Sequence, residues 1–278
     1  MKFFVTDLLP ANLKSNPLSY FCNAPELDVS SETFSFKPFS VVSLAAEISE
    51  VKFPSEKLLG KQAEFLFEHV LNQSTAYQLL ASNVQIHGEE ETLGELDYLV
   101  QDAKTEEVLH VELACKFYLL DKGLGSDLIQ QWIGPNRKDR LIDKLEKLKS
   151  KQFPMLFAPE TKAVLDSLAI AATHVEQQLC LKAFLFLPKG VKRNALPENF
   201  RKCVVGTYIT PSEFTEHPTA QYAFPQKKEW LLPPAQLSNW YTYEDALVYL
   251  KKCMHERRSP LVYKKTESAL EKFFVVWW

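Results

Sequence analysis

The chain has 278 residues, 46% of them hydrophobic and 24% charged, with 32 Lys and Arg against 35 Asp and Glu for a formal charge of −3. This is the balance of a water-soluble globular chain long enough to bury a substantial core, and it excludes a coat protein that grips nucleic acid by bulk charge. No apolar run reaches membrane-spanning length, and Met1-Lys2-Phe3-Phe4-Val5-Thr6-Asp7 lacks the parts of a secretory signal. Cys22, Cys115, Cys180, Cys203 and Cys253 are odd in number and scattered, which fits a reducing cytoplasm and suggests neither a disulfide framework, a zinc site nor a membrane partner.

In chain order, residues 1–57 mix turn signals with a Phe-rich alternating stretch at 33–39 that reads as an edge strand or loop, an N-terminal extension packing on a core. Residues 58–71 have helical spacing, with Leu59, Ala63, Leu66 and Val70 on one side and Glu64 among them. Strands are expected at 79–87, 92–101 and 108–120, joined by an acidic turn at 88–91 and a short link at 102–107, so they should be antiparallel neighbours.

A loop-rich passage then leads to a basic stretch, 137–151. Leu141, Leu145 and Leu148 there repeat at helical spacing, and Asn136 is placed to cap the helix. By itself this stretch reads first as a solvated amphipathic helix and only second as a patch for a polyanion. A further helix is expected at 159–173 and a buried strand at 180–187, which closes a core of residues 58–187. Residues 188–278 form a C-terminal extension with a helix at 243–256 and an apolar end, 273–278, suited to a terminal core strand.

The chemistry concentrates in Gly94-Glu95-Leu96-Asp97 and His110-Val111-Glu112-Leu113-Ala114-Cys115-Lys116. Side chains alternate along a strand, so Glu95 and Asp97 share a face, as do His110, Glu112, Ala114 and Lys116. If those faces coincide, carboxylates and a lysine form one cluster, the raw material of metal-assisted phosphodiester hydrolysis. Cys115 should point the other way, into packing. Each residue also has a structural explanation: Glu112 paired with Lys116 or His110, His110 a satisfied strand histidine, Glu95 paired with a basic neighbour.

The order helix, three meandering strands, helix, strand and the segment Gly94-Glu95-Leu96-Asp97-Tyr98-Leu99-Val100 resemble the α/β (α+β) PD-(D/E)XK restriction-endonuclease-like core, a central mixed sheet flanked by helices. Together with Glu112-Leu113-Ala114-Cys115-Lys116-Phe117-Tyr118 and Gly134-Pro135-Asn136-Arg137-Lys138-Asp139-Arg140-Leu141, they resemble domain-of-unknown-function family 1853.

The resemblance implies that Asp97, Glu112 and the Leu113 carbonyl hold Mg2+ or Mn2+, that Lys116 orients water or neutralises charge, and that Glu64 approaches from the side to bind a second ion or a water. It further implies that Arg137, Arg140 and Lys144 clamp backbone phosphates and that Gln130 or Gln131 is a helper glutamine; the residues themselves add Glu95 as a third carboxylate and His110 as a base or extra ligand, both accessory. In one place the chain departs from the superfamily pattern. The usual lysine position holds Ala114, and Lys116 stands two residues further along the same face.

The implied function is a magnesium-dependent nuclease acting on nucleic acid, DNA ahead of RNA. The alternative is a catalytically inactive module of the same fold that binds nucleic acid or protein. Resolvases of this fold are often dimers, so a dimer is among the states left open. Walker, dinucleotide and nucleophile-elbow motifs are missing from the sequence.

Overall fold

A computed structural model gives the fold and describes residues 16–31, 33–41 and 51–278. The opening heptapeptide read for a signal lies outside these, as do residue 32 and residues 42–50 of the N-terminal stretch.

Helix α1 (Pro17–Cys22) is capped by Asn16, whose Oδ1 accepts the Leu18 N–H at 2.8 Å. Of the Phe-rich stretch only β1 (Lys37–Pro38) pairs; the rest is loop, in keeping with a proline that has no N–H to give a ladder. Helix α2 (Leu59–Gln73) buries Leu59, Ala63, Leu66, Phe67, Val70 and Leu71, the stripe that its 3.6-residue period predicts.

Strands β2 (Tyr77–His87), β3 (Thr92–Asp102) and β4 (Val108–Leu120) follow as an antiparallel meander. The β3–β4 link is set by Asp102, whose carboxylate accepts the N–H groups of Lys104 and Thr105 at 2.8 and 2.9 Å. A two-residue strand, β5 (Trp132–Ile133), folds back on the end of β4.

Here the structure corrects two expectations. The basic stretch does not begin its helix at Arg137. Arg137 is in the left-handed region at φ 56° and Arg140 is extended, so α3 (Leu141–Lys147) starts four residues later. Asn136 is not its cap: its Oδ1 accepts the Ser259 N–H at 2.8 Å. After Lys147 the helix widens into a π turn, Leu148–Gln152, then tightens into a 3-10 turn, Phe153–Phe157.

The second correction concerns the helix expected at 159–173. It shrinks to α4 (Lys162–Ser167), because Ala169 at φ 56° closes it. The Ile170 N–H reaches the Leu165 carbonyl at 2.9 Å and the Ala169 N–H reaches that of Asp166 at 3.1 Å, a Schellman ending.

Strand β6 (Val175–Pro188) lies parallel to β4 in unbroken register from Val108–Val175 to Leu119–Phe186. Beyond it come α5 (Glu198–Cys203), β7 (Val204–Ile209), β8 (Gln221–Ala223), α6 (Tyr243–His255), β9 (Leu261–Lys265) and β10 (Leu270–Val275). The sheet runs β2-β3-β4-β6-β7-β10-β9-β8, mixed in direction and flanked by helices. On one face α2 packs on Tyr98, Val100, Val111, Leu113 and Phe117. On the other, Leu141, Leu145 and Leu148 pack on Ala114, Tyr118, Leu179 and Leu181.

The N-terminal segment is held to this sheet by a charge. Lys182, fully buried in β6, pairs with Glu26 at 2.7 Å and donates to the carbonyls of Cys22 and Ala24 at 2.9 and 3.1 Å. Lys182→Met strips three acceptors of their donor and is expected to cost about 3–5 kcal/mol, read from denaturant unfolding. Lys182→Met with Glu26→Leu should recover part of that loss. A loss below about 1 kcal/mol for the single variant, the scale of an exposed pair, would show that the ion pair does not anchor the segment.

Candidate active site

The β3–β4 ladder runs from Gln101–Val108 to Tyr98–Val111 and stops. The next residues in that register are Asp97 and Glu112, facing each other where the strands part. The Leu113 N–H donates to Asp97 Oδ2 at 2.9 Å. A strand residue points its N–H and C=O to the same side, so the Leu113 carbonyl faces the same gap. Gly94 lets the 153–157 turn lie close to β3, since a Cβ there would come within 2.9 Å of the Met155 methyl.

Burial pushes the Asp97 carboxyl up to about 7, and the neighbouring Glu112 charge adds to it; the Leu113 N–H and the Lys144 amine oppose the rise, and Glu95 contributes further like charge. Glu112 is fully buried and both its oxygens are engaged. Oε1 lies 3.1 Å from His110 Nε2, and Oε2 accepts from Gln152 Nε2 at 2.5 Å. His110 Nδ1 takes an N–H from Gln177 at 3.1 Å, which puts the ring proton on Nε2.

Gln152 is the joint of the cluster. Its Oε1 accepts from Lys144 Nζ at 2.7 Å while its amide nitrogen holds Glu112. The π turn after α3 brings it to the carboxylates. Burial lowers the pKa of the Lys144 amine, and the charges of Glu112 and Asp97 pull it back up. Lys116 is turned elsewhere, 3.1 Å from Asp139.

The other predicted residues are spread around this centre. Glu64 sits on α2 with Lys61 at 2.5 Å. Glu95 pairs in register with Gln85. Arg137 is held by Asp121 at 2.8 Å and stacks over Trp278 at 4.5 Å. Arg140 donates to the carbonyls of Leu124 and Gln130 at 3.2 and 2.7 Å, so its guanidinium fastens the 124–130 loop. Gln130 packs against Gly125, and the glutamine hydrogen-bonded to Glu112 is Gln152. Cys115 lies on the apolar α2 side and burial pushes its thiol up to about 12, so it is no nucleophile near neutral pH.

Beside the carboxylates lies a cleft of about 410 Å³. Its walls are the start of α2 with Glu64, Leu113–Phe117 of β4, the turn through Lys138 and Asp139, Lys144, and the 227–230 turn. Asp97 and Glu112 do not line it, but Leu113, which donates to Asp97, and Lys144, which feels both charges, do.

Among the described residues no three His, Cys, Asp or Glu side chains converge as a metal site. A divalent ion would be held by Asp97, Glu112, the Leu113 carbonyl and water. That hard oxygen set fits magnesium, which takes one or two protein carboxylates and keeps several waters.

The fold and the site thus define a mixed α/β protein with a buried carboxylate pair and an amine where two strands part. The chain belongs to a known family. The model of the family described as Domain of unknown function (DUF1853) matches residues 41–276. No curated protein and no solved structure matches it.

Proposed function

We propose that the chain is a PD-(D/E)XK nuclease that hydrolyses phosphodiester bonds in nucleic acid, DNA first, with Mg2+ or Mn2+. The observation that carries this reading is the meeting of Asp97 and Glu112 across the parting of β3 and β4, with the Lys144 amine joined to Glu112 through Gln152. Support also comes from the order of elements: α2, the β2–β4 meander, α3, then β6 parallel to β4.

Two carboxylates brought together under cover repel each other, and a cation relieves that repulsion. A bound divalent ion supplies charge neutralisation at phosphate and a more acidic water. The chain's own contribution is positional. Asp97 is fixed by Leu113, and Glu112 by His110 and Gln152. We assign the lysine role to Lys144, which reaches the carboxylates from the helix side where Ala114 leaves the strand position without an amine. Lys116, Glu64 and Lys138 belong to the cleft, while Arg137 and Arg140 brace the loops beside it.

The test is calorimetry with magnesium. Wild type is expected to bind, and Asp97→Asn to bind at least about tenfold more weakly with its fold intact, the scale on which metal-site changes act. Equal binding by both would remove Asp97 from the site.

One observation favours a second reading, a catalytically idle nucleic-acid-binding module. Glu112 is fully buried with both oxygens hydrogen-bonded inside the protein. In that case nucleic acid is bound and never cut.

A further inference from the structure

The chain's two halves meet across the cleft. Lys227 and Lys228 sit on an exposed 3-10 turn, Lys227–Glu229, and line the cleft together with Lys138 and Lys144. That turn is fixed to α2, because the buried Gln62 donates from Nε2 to the Lys228 carbonyl at 2.8 Å. The turn is also closed on itself: the Glu229 carboxylate accepts the Gln226 N–H at 2.6 Å. Among the described residues Lys138, Lys227 and Lys228 have no carboxylate within ion-pair distance.

Five lysines thus line the cleft against two carboxylates, Glu64 and Asp139, on a chain whose total charge is negative. A local excess of this kind recruits a polyanion.

The dimensions choose the polyanion's form. At about 410 Å³ the cleft has the size of a small-ligand pocket, with room for a nucleotide or two between its walls. Duplex DNA carries its phosphates on a rod stiff over about 50 nm and does not bend into a space this small. A single strand does. Its exposed bases would meet the apolar rim at Leu58, which is 80% exposed; Phe117 and Trp230 at the floor are buried against each other, with ring centroids 4.8 Å apart.

We infer, on the nucleic-acid reading of this site, that the cleft receives one single strand of DNA or RNA and that Lys227 and Lys228 form its second phosphate-binding wall. Lys138 and Lys144 line the same cleft.

The experiment is fluorescence anisotropy in EDTA with fluorescein-labelled 15-nucleotide single-stranded DNA, single-stranded RNA and the matching DNA duplex. Both single strands are expected to bind at least about tenfold more tightly than the duplex, and the tighter of the two names the polymer. Lys227→Glu with Lys228→Glu should weaken single-strand binding at least about tenfold at 50 mM salt. Lys227→Ala with Lys228→Ala should lower the slope of log affinity against log salt by about 1.4, two phosphates' worth. Both lysines are exposed, so an unchanged melting temperature verifies the fold. Duplex bound as tightly as single strand, or indifference to the charge reversal, overturns the inference. Tight single-strand binding with no metal-dependent cutting leaves it standing and removes only the nuclease reading.

Discussion

Lys144→Ala is expected to reduce metal-dependent cleavage about a hundredfold or more, and Lys116→Ala no more than about tenfold, the scale separating a group aimed at developing charge from one on the rim. The strand places Lys116 on the same side as Glu112, but its amine is occupied by Asp139 at 3.1 Å. Lys144 comes from α3 and reaches Glu112 through a single glutamine. Gln152→Ala should therefore imitate a mild form of Lys144→Ala, since it frees the amine without removing it. Steady-state kcat and KM for each variant decide the matter. A larger loss from Lys116 than from Lys144 would return the role to the strand.

Asp97→Asn is expected to make the protein more stable at pH 8, by roughly 1–3 kcal/mol once solvent screening is allowed for, while ending metal-dependent activity. The sign follows from protons. Burial and Glu112 hold the Asp97 pKa at about 7 in the fold, against an ordinary 3.8. Between those values the folded protein keeps a proton that the unfolded chain has released, so stability falls as pH rises from about 4 to about 7. Above about 7 the folded state carries the full cost of the charge.

The asparagine removes that cost and still offers an oxygen to the Leu113 N–H. The stability gap between variant and wild type should open across this pH window and be small near pH 4. Magnesium at pH 8 should narrow it by stabilising wild type alone. Chemical denaturation at pH 4.5 and pH 8, with and without magnesium, measures all of these. A variant less stable than wild type at pH 8 would mean that Asp97 is held there by structural partners and is not under strain.

Much of this architecture was legible in the chain because its signals are local. Alternation marked β4, found at the expected 108–120, and the apolar period marked α2 within two residues of its observed ends. That Asp97 and Glu112 fall one step beyond the last ladder pair, Tyr98–Val111, followed from two strands and a short link. Departures arose where the backbone leaves regular geometry. The left-handed Arg137 and Ala169 shorten two expected helices, and neither residue type announces such a conformation.

The participation of Gln152, Gln177, Lys227 and Lys228 comes from the crossover and the later strands, which no local pattern encodes. Lys182 did leave a signal. A lysine inside the apolar run Cys180–Leu187 must find a partner when buried, and that requirement points to an acid elsewhere in the chain, which is Glu26.

The most direct test is cleavage of labelled single-stranded, duplex and branched DNA and RNA with magnesium or manganese, comparing wild type with Asp97→Asn. Wild type is expected to cut at least one single-stranded substrate in a metal-dependent way, and the variant none. Cutting by both alike, or by neither on any substrate while nucleic acid is bound, would contradict a catalytic site at Asp97 and Glu112.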